Sequence, residues 1–270
     1  ATEDRTVVNA TVPQRGMYTN KQRVLVIASR GITARYRHLL EDLKKLIPHH
    51  KKDNKLDTKG DIQSVNEIAE IKSCNQILYL ECRKHMDLYM HVARAPHGPS
   101  IKFQVANIHT MDELKLTGNC MVGSRALLNF DSAFDSAPHL QIMKASLTDI
   151  FNTPAGHPKS KPFVDRIMSF YLVNNNIWVR NYQITEGTER VGGNKTKLVE
   201  VGPRMVLIPI RIFNGSMGGA TLYQNPAYVS PNDERAMRKK FKGTRYGDRV
   251  NSKLERNLKD ETLVLPPDEL

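Results

Sequence analysis

A chain of 270 residues, 40% of them apolar, can bury one large hydrophobic core or two small ones, which excludes a globally disordered polypeptide. Forty lysines and arginines against 28 acids leave a formal charge of +12, and an excess of one sign on this scale favours polyanionic partners. No apolar run is long enough for a membrane span, no secretory signal stretch is visible, and Cys74, Cys82 and Cys120 lack paired spacing, so they read as buried, reduced thiols.

Residues 1–20 are polar, include Pro13 and Gly16, and read as a flexible arm. Arg23 to Ala28 is a short apolar strand, followed by a turn at Ser29-Arg30-Gly31. From Thr33 the period becomes helical, with Tyr36, Leu39, Leu40, Leu43, Leu46 and Ile47 on one face and Pro48 as the stop. Arg35, Arg37, His38, Lys44 and Lys45 lie off that stripe, which makes the outer surface basic. His49 to Lys59 reads as a lysine-rich polar loop, and Asp61 as the cap of a second helix running to Lys72. Ile77 to Leu80 and Leu88 to Val92 are strands; Ile101, Phe103 and Val105 then alternate with polar neighbours along a half-buried strand. Thr110 with Glu113 has capping-box spacing and opens a short helix.

The second half follows the same plan. Ala126 to Phe130 is a strand, and Ser136 before Pro138 starts a helix with Leu140, Met143, Leu147, Ile150 and Phe151 on its apolar face. A loop from Asn152 to Pro162 carries His157, Lys159 and Lys161. Ile167 to Val173 and Ile177 to Ile184 form a hairpin around three asparagines, with Trp178, Arg180 and Tyr182 sharing a face. Glu186 to Lys197 reads as a polar, glycine-containing loop. From Gly202-Pro203 a strand runs through Arg204 and Arg211 with apolar residues on both sides, the pattern of a strand inside a covered sheet. Pro209 cannot donate to a ladder, so a bulge or an unpaired side is expected there. Gly-Pro recurs 104 residues apart, at 98 and 202, and the same offset brings Leu39, Leu43 and Leu46 onto Met143, Leu147 and Ile150. We read this as an internal duplication. From Glu234 to Lys259 ten cations face three acids, a net of +7, with Phe241 and Tyr246 interspersed; this basic extension (232–270) has too few apolar residues to fold as a separate domain and reads as an RNA-binding arm or a solvated tail.

Catalytic constellations are absent from the pattern. Cys82 and His85 have no second ligand pair for zinc, SRGITAR lacks the glycines and lysine of a nucleotide loop, and no GxSxG or Cys-His spacing stands out. No enzyme activity, metal, cofactor, small-molecule substrate or membrane is expected. The SRGITAR turn opens a helix, so Arg30 and Arg35 there suit either an RNA phosphate or an ordinary strand-to-helix turn. Phe103 beside Lys102, Trp178 beside Arg180, and Tyr223 near Arg211 are either stacking platforms or core residues, with the core favoured for Phe103.

NKQRVLVIASRG near the start, GPSIKFQVANIHTMDEL at 98–114, LTGNCMVGSRALLNFD, and GPRMVLIPIRIF followed by GGATLYQNPAYVSP resemble, in order, the signature segments of the Brix domain family. The likeness covers about Asn20 to Pro231. It implies an α/β fold of two similar halves (about 21–118 and 119–231 of a domain at 21–231), each resembling the anticodon-binding domain of class II aminoacyl-tRNA synthetases. It further implies a non-catalytic factor that binds precursor rRNA of the large ribosomal subunit in the nucleolus, together with other assembly factors and ribosomal proteins. The alternative is a protein–protein adaptor in the same particles with little direct RNA contact. Candidate RNA-binding residues are Arg30, Arg35 and Arg37; Lys102 and Arg125; Lys159, Lys161 and Arg180; Arg204 and Arg211; and, in the extension, Arg235, Arg238, Lys239, Lys240, Lys242 and Arg245.

Overall fold

The computed structural model describes residues 22–56, 62–114, 118–119, 121–154, 156–191 and 194–263, with side chains left undescribed over 186–195. They fall into two compact units that divide after Pro226. The N-terminal arm, Asp61 and Cys120 lie outside the described residues.

The first unit is built on one eleven-stranded sheet. β1 (Val24–Ala28) is buried along its whole length and leads into α1 (Ala34–Leu46), whose apolar stripe buries Leu39, Leu40, Leu43 and Leu46. The short β2 (His50–Lys52) then pairs parallel to β1, and α2 (Ser64–Ile71) follows it. A hairpin of β3 (Gln76–Arg83) and β4 (Asp87–Arg94), then β5 (Ser100–His109), continue the sheet. After α3 (Met111–Leu114), β6 (Arg125–Phe130) and a 3-10 turn lead into α4 (Pro138–Phe151), which buries the five apolar residues its period selects. β7 (Val164–Val173), β8 (Asn176–Val191), β9 (Asn194–Glu200), β10 (Arg204–Phe213) and β11 (Thr221–Gln224) complete it.

Across the sheet the order is β2-β1-β3-β4-β5-β10-β8-β7-β6, with β11 on β10 and β9 on β8. β3 is parallel to β1, β7 is parallel to β6, and β5 meets β10 antiparallel at the centre. Read inward from β1 on one side and from β6 on the other, an opening strand is followed by a parallel neighbour and then two antiparallel ones, with β2 added outside β1 on the first side alone. One face carries the main core, where α1 and α4 residues pack on Val26, Met90, Phe103, Phe170 and Leu207. The other carries a smaller cluster of α2 residues on Leu25, Ile27, Ile77 and Tyr79. Each fully buried Leu or Phe contributes about 1.5–3 kcal/mol relative to exposure.

The Pro209 expectation holds: the β5–β10 register shifts between Pro209 and Arg211, and the Asn225 side-chain amide donates to the Pro209 carbonyl at 2.9 Å. The amide of Glu113 donates to Thr110 Oγ1 at 3.3 Å, as the capping-box spacing requires. Four expectations are corrected. The 49–59 segment contributes an edge strand, because a parallel partner satisfies backbone groups that polarity alone assigns to a loop. The second helix opens at Ser64 after a turn, and Gln63 at its N-cap position makes no side-chain cap bond. Ser136 does not cap α4; its hydroxyl donates back to the Ala133 carbonyl and closes the 3-10 turn. Finally, 186–197 is a hairpin arm of β8 and β9, paired from Tyr182–Glu200 to Val191–Asn194.

The second unit contains one long helix, α5 (Pro231–Thr262), in the segment that reads from sequence as an RNA-binding arm or a solvated tail. Ser230 supplies its N-cap by accepting from the Asp233 amide, and Pro231 takes the first turn, where no amide donor is missed. Arginine and lysine favour helix, so this segment needs no core to have regular structure.

Candidate nucleic-acid interface

A concentration of positive charge in the sheet-bearing unit lies at its β2 edge. The apolar stripe of α1 points inward and leaves Lys44 and Lys45 in the last turn. β2 projects His50, Lys51 and Lys52 from the edge; α2 ends beside them at Lys72, and the 152–162 loop brings Lys159 from the far half of the chain. Together they line an open cleft of about 720 Å³ in which Glu41 is the acid, with Ile71 and Val122 completing the wall.

Several of these lysines are held in place. Lys44 pairs with Glu41 at 2.7 Å, and Lys72 with Asp53 at 3.0 Å. Lys51 donates to the Lys72 carbonyl at the end of α2, and Lys72 donates back to the Lys52 carbonyl on β2, both at 3.1 Å, so the two elements are tied together by their cations. Lys52 and Lys159 enter no ion pair with other described residues. Burial, together with the neighbouring lysines, holds the His50 imidazole below its ordinary pKa, although the Ile47 carbonyl works the other way. A concave surface with this excess of cations attracts phosphate without reading sequence.

The sequence-based candidates are dispersed around and away from this cleft. Lys159 is in it, and the exposed Lys161 follows on the same loop, its amide bonded to the Gly123 carbonyl. Arg30, Arg35 and Arg37 are exposed at the start of α1; Arg37 lines an adjoining cleft with His38, Lys44 and Lys55, while Arg35 pairs with Glu113 at 3.0 Å. Arg125 is half-buried on the edge strand β6. Arg211 is exposed beside the Pro209 bulge, opposite Lys102 on β5 and Gln224 on β11.

Lys102 departs from the expectation of an accessible cation. Its ammonium lies 3.5 Å from Glu81 and 4.9 Å over the Tyr89 ring, in a network with Arg83 and His91. Burial alone would raise the Glu81 pKa; hydrogen bonds from His91 and Arg83 and the Lys102 charge bring it down to about 2. Burial also lowers the Lys102 and His91 pKa values. Arg204 is likewise engaged, in a two-pronged pair with Glu200 at 2.6 Å on both oxygens, with Arg180 at 3.7 Å from the same carboxylate.

Arg180 also lies 5.5 Å over Trp178, which is only half-buried, and Tyr171 sits across the ladder from Trp178, 39% exposed. An aromatic and cationic patch therefore exists where Trp178 and Arg180 share a face. Phe103 is fully buried in the core, and Tyr223 is stacked on His139 at 4.1 Å rather than offered as a platform. In the second unit, Arg235 is half-buried, and Arg238, Lys239, Lys240, Lys242 and Arg245 are exposed on α5.

Lys44 and Lys45 were read from sequence as part of a basic helix surface, but neither they nor Lys51, Lys52 and Lys72 were among the RNA-binding candidates. The available signal was the placement of lysine pairs at the ends of successive elements; only the parallel pairing of β2 on β1 brings those ends into one cleft.

A Brix domain model matches residues 29–211. The chain is 48% identical over 256 residues to a mouse (Mus musculus) protein named "Ribosome biogenesis protein BRX1 homolog", covering 94% of this chain and 70% of that one. It is 47% identical over 258 residues to "Ribosome biogenesis protein BRX1" of Saccharomyces cerevisiae, covering 94% and 89%. A solved structure of a probable ribosomal biogenesis protein from Aeropyrum pernix K1 aligns with a TM-score of 0.45 at 17% identity over 69% of this chain and 95% of that one, too loosely to argue from.

Proposed function

Because the chain belongs to the Brix domain family, we propose that it acts in ribosome biogenesis as a non-catalytic RNA-binding factor, scaffolding precursor rRNA of the large subunit in the nucleolus. The observation that carries the RNA reading is the lysine cleft, to which three successive elements and a distant loop contribute cations. Phosphate is the ligand such a cleft suits, and precursor rRNA is the polyanion that a ribosome biogenesis factor meets. Its further partners are other assembly factors and ribosomal proteins of the same particles.

The domain is proposed to span 21–231 and to have arisen by duplication. The mirrored strand order supports this, as do the buried faces of α1 and α4. So does the backbone at the two Gly-Pro steps, with φ of +90° at Gly98 and +89° at Gly202. The comparison of each half with an anticodon-binding domain belongs to the same proposal.

The test is binding of the full chain to fragments of large-subunit precursor rRNA over a range of salt. Neutralising Lys51, Lys52 and Lys159 to Gln should weaken binding to all fragments alike and flatten the salt slope by about 2 units, since each contact to single-stranded RNA contributes about 0.7. Affinity and slope unchanged in the triple variant would remove the cleft from the RNA interface. The adaptor reading has one observation of its own, the exposed Ile71 (82%) and Val122 (70%) on the cleft wall. Capture of particle proteins that survives ribonuclease and depends on those two residues would favour it.

A further inference from the structure

The phase of α5 sorts its charges. At 3.6 residues per turn, Arg235, Arg238, Lys242, Arg245, Arg249 and Arg256 fall within about 80° of arc on one face. The other position within that arc between the first and last of these is Lys253, with Ser252 and Tyr246 just outside it, so no acid interrupts it. Asp248 and Glu255 lie on a different side of the helix, and the apolar row of Tyr246, Val250, Leu254 and Leu258 occupies a third. Those six cations span 22 residues, whose 21 rises of 1.5 Å make about 32 Å of helix. Five of them are exposed and Arg235 is half-buried. A shallow cleft runs beside the stripe between Arg245 and Asn257, with Asp248 on its border.

Like charges three and four residues apart repel one another along a helix, so the stripe costs α5 some stability in isolation. An anionic partner that reaches all the cations at once relieves this. Base pairing holds the phosphates of an RNA duplex in fixed positions along its groove edges, so a rigid row of cations meets several of them without first ordering the RNA, whereas a flexible single strand must be ordered to match. We propose that α5 is a preformed cationic rod that lies along the phosphates of double-stranded RNA through this one stripe. The inference rests on the RNA reading above but involves a separate surface.

The experiment uses the full chain, a short RNA duplex and a single strand of the same length. Arg245→Gln with Arg249→Gln, on the stripe, should flatten the duplex salt slope by about 2 units and weaken binding about tenfold or more. Lys239→Gln with Lys240→Gln removes the same charge off the stripe and should change duplex affinity by less than about threefold. Asn251→Pro keeps every cation but breaks the helix, so duplex affinity should drop while helical circular dichroism is lost. Equal losses in the two double variants, or full affinity in the proline variant, would overturn the proposal in favour of diffuse charge attraction. Loss in Leu254→Ser with Leu258→Ser, with the arginine variant unaffected, would overturn it in favour of a protein partner. If the Lys51/Lys52/Lys159 variant loses single-strand binding while the stripe variants keep duplex binding, this inference fails alone. If neither RNA is bound by the unaltered chain, both readings fail.

Discussion

His49 is almost completely buried, its imidazole edge-on to His157 with ring centroids 6.1 Å apart. Burial, with His157 and His50 nearby, holds its pKa at about 4 against an ordinary 6.5. The unfolded chain therefore takes up the proton first, so stability is full above pH 6.5 and declines as pH falls towards 4. His49 alone contributes on the order of 3 kcal/mol to that decline. Urea midpoints between pH 7 and 4.5 should show the loss, and His49→Leu should reduce the slope without abolishing it, since His50, His91 and His157 are also depressed. Glu81, held at about 2, stabilises above pH 4.5 and is lost only as pH falls below it, which separates the two windows. Gly98 makes a different kind of demand. At φ +90°, an added Cβ would meet the Asn214 carbonyl oxygen at 2.4 Å, and backbone does not yield as a flexible side chain would. Gly98→Ala should cost at least about 1 kcal/mol by chemical denaturation.

At the scale of elements, α1 and α4 carry equivalent loads. Leu43 and Leu147 are both fully buried in the main core, so Leu43→Ala and Leu147→Ala should each cost about 2–5 kcal/mol in urea unfolding. A cost below 1 kcal/mol at either position would argue that the two helices are not equivalent supports. α5 is held differently, by its cap and by intrinsic propensity rather than by a core. Gly243 and Gly247 have nothing within 4 Å of an added Cβ, so replacing both by Ala should raise helicity by circular dichroism, worth about 1 kcal/mol each. The melting of the sheet-bearing unit should not change.

For the whole molecule, charge is divided between a folded cleft and a helix. Removing residues 232–270 should leave the melting temperature of the sheet-bearing unit unchanged while flattening the salt dependence of RNA binding, because the unit divides from the helix after Pro226 and holds its own core. Unfolding of the truncated chain at unchanged affinity per folded molecule would make the helix a structural strap instead.

The strands and the two core helices were legible in the sequence because their causes are local: alternation, helical period, Pro48 as a stop and Thr110 with Glu113 as a cap. Pro209 announced its bulge in the same way, through a missing donor. The edge strand at His50–Lys52 was not legible, since a three-residue polar strand exists only because β1 offers it a partner. The arm of β8 and β9 looked like a loop for the same reason: each strand's hydrogen bonds are made by the other. Candidate cations could be counted from the sequence, but their availability could not. Arg204 finds its partner Glu200 only four residues earlier, Lys102 meets Glu81 only once β3, β4 and β5 lie side by side, and Lys52 and Lys159, 107 positions apart, come to share a cleft. Charge was determined by composition; which charges face a partner was decided by the packing of strands far apart in the chain, because an ion pair depends on distance in space and not along the sequence.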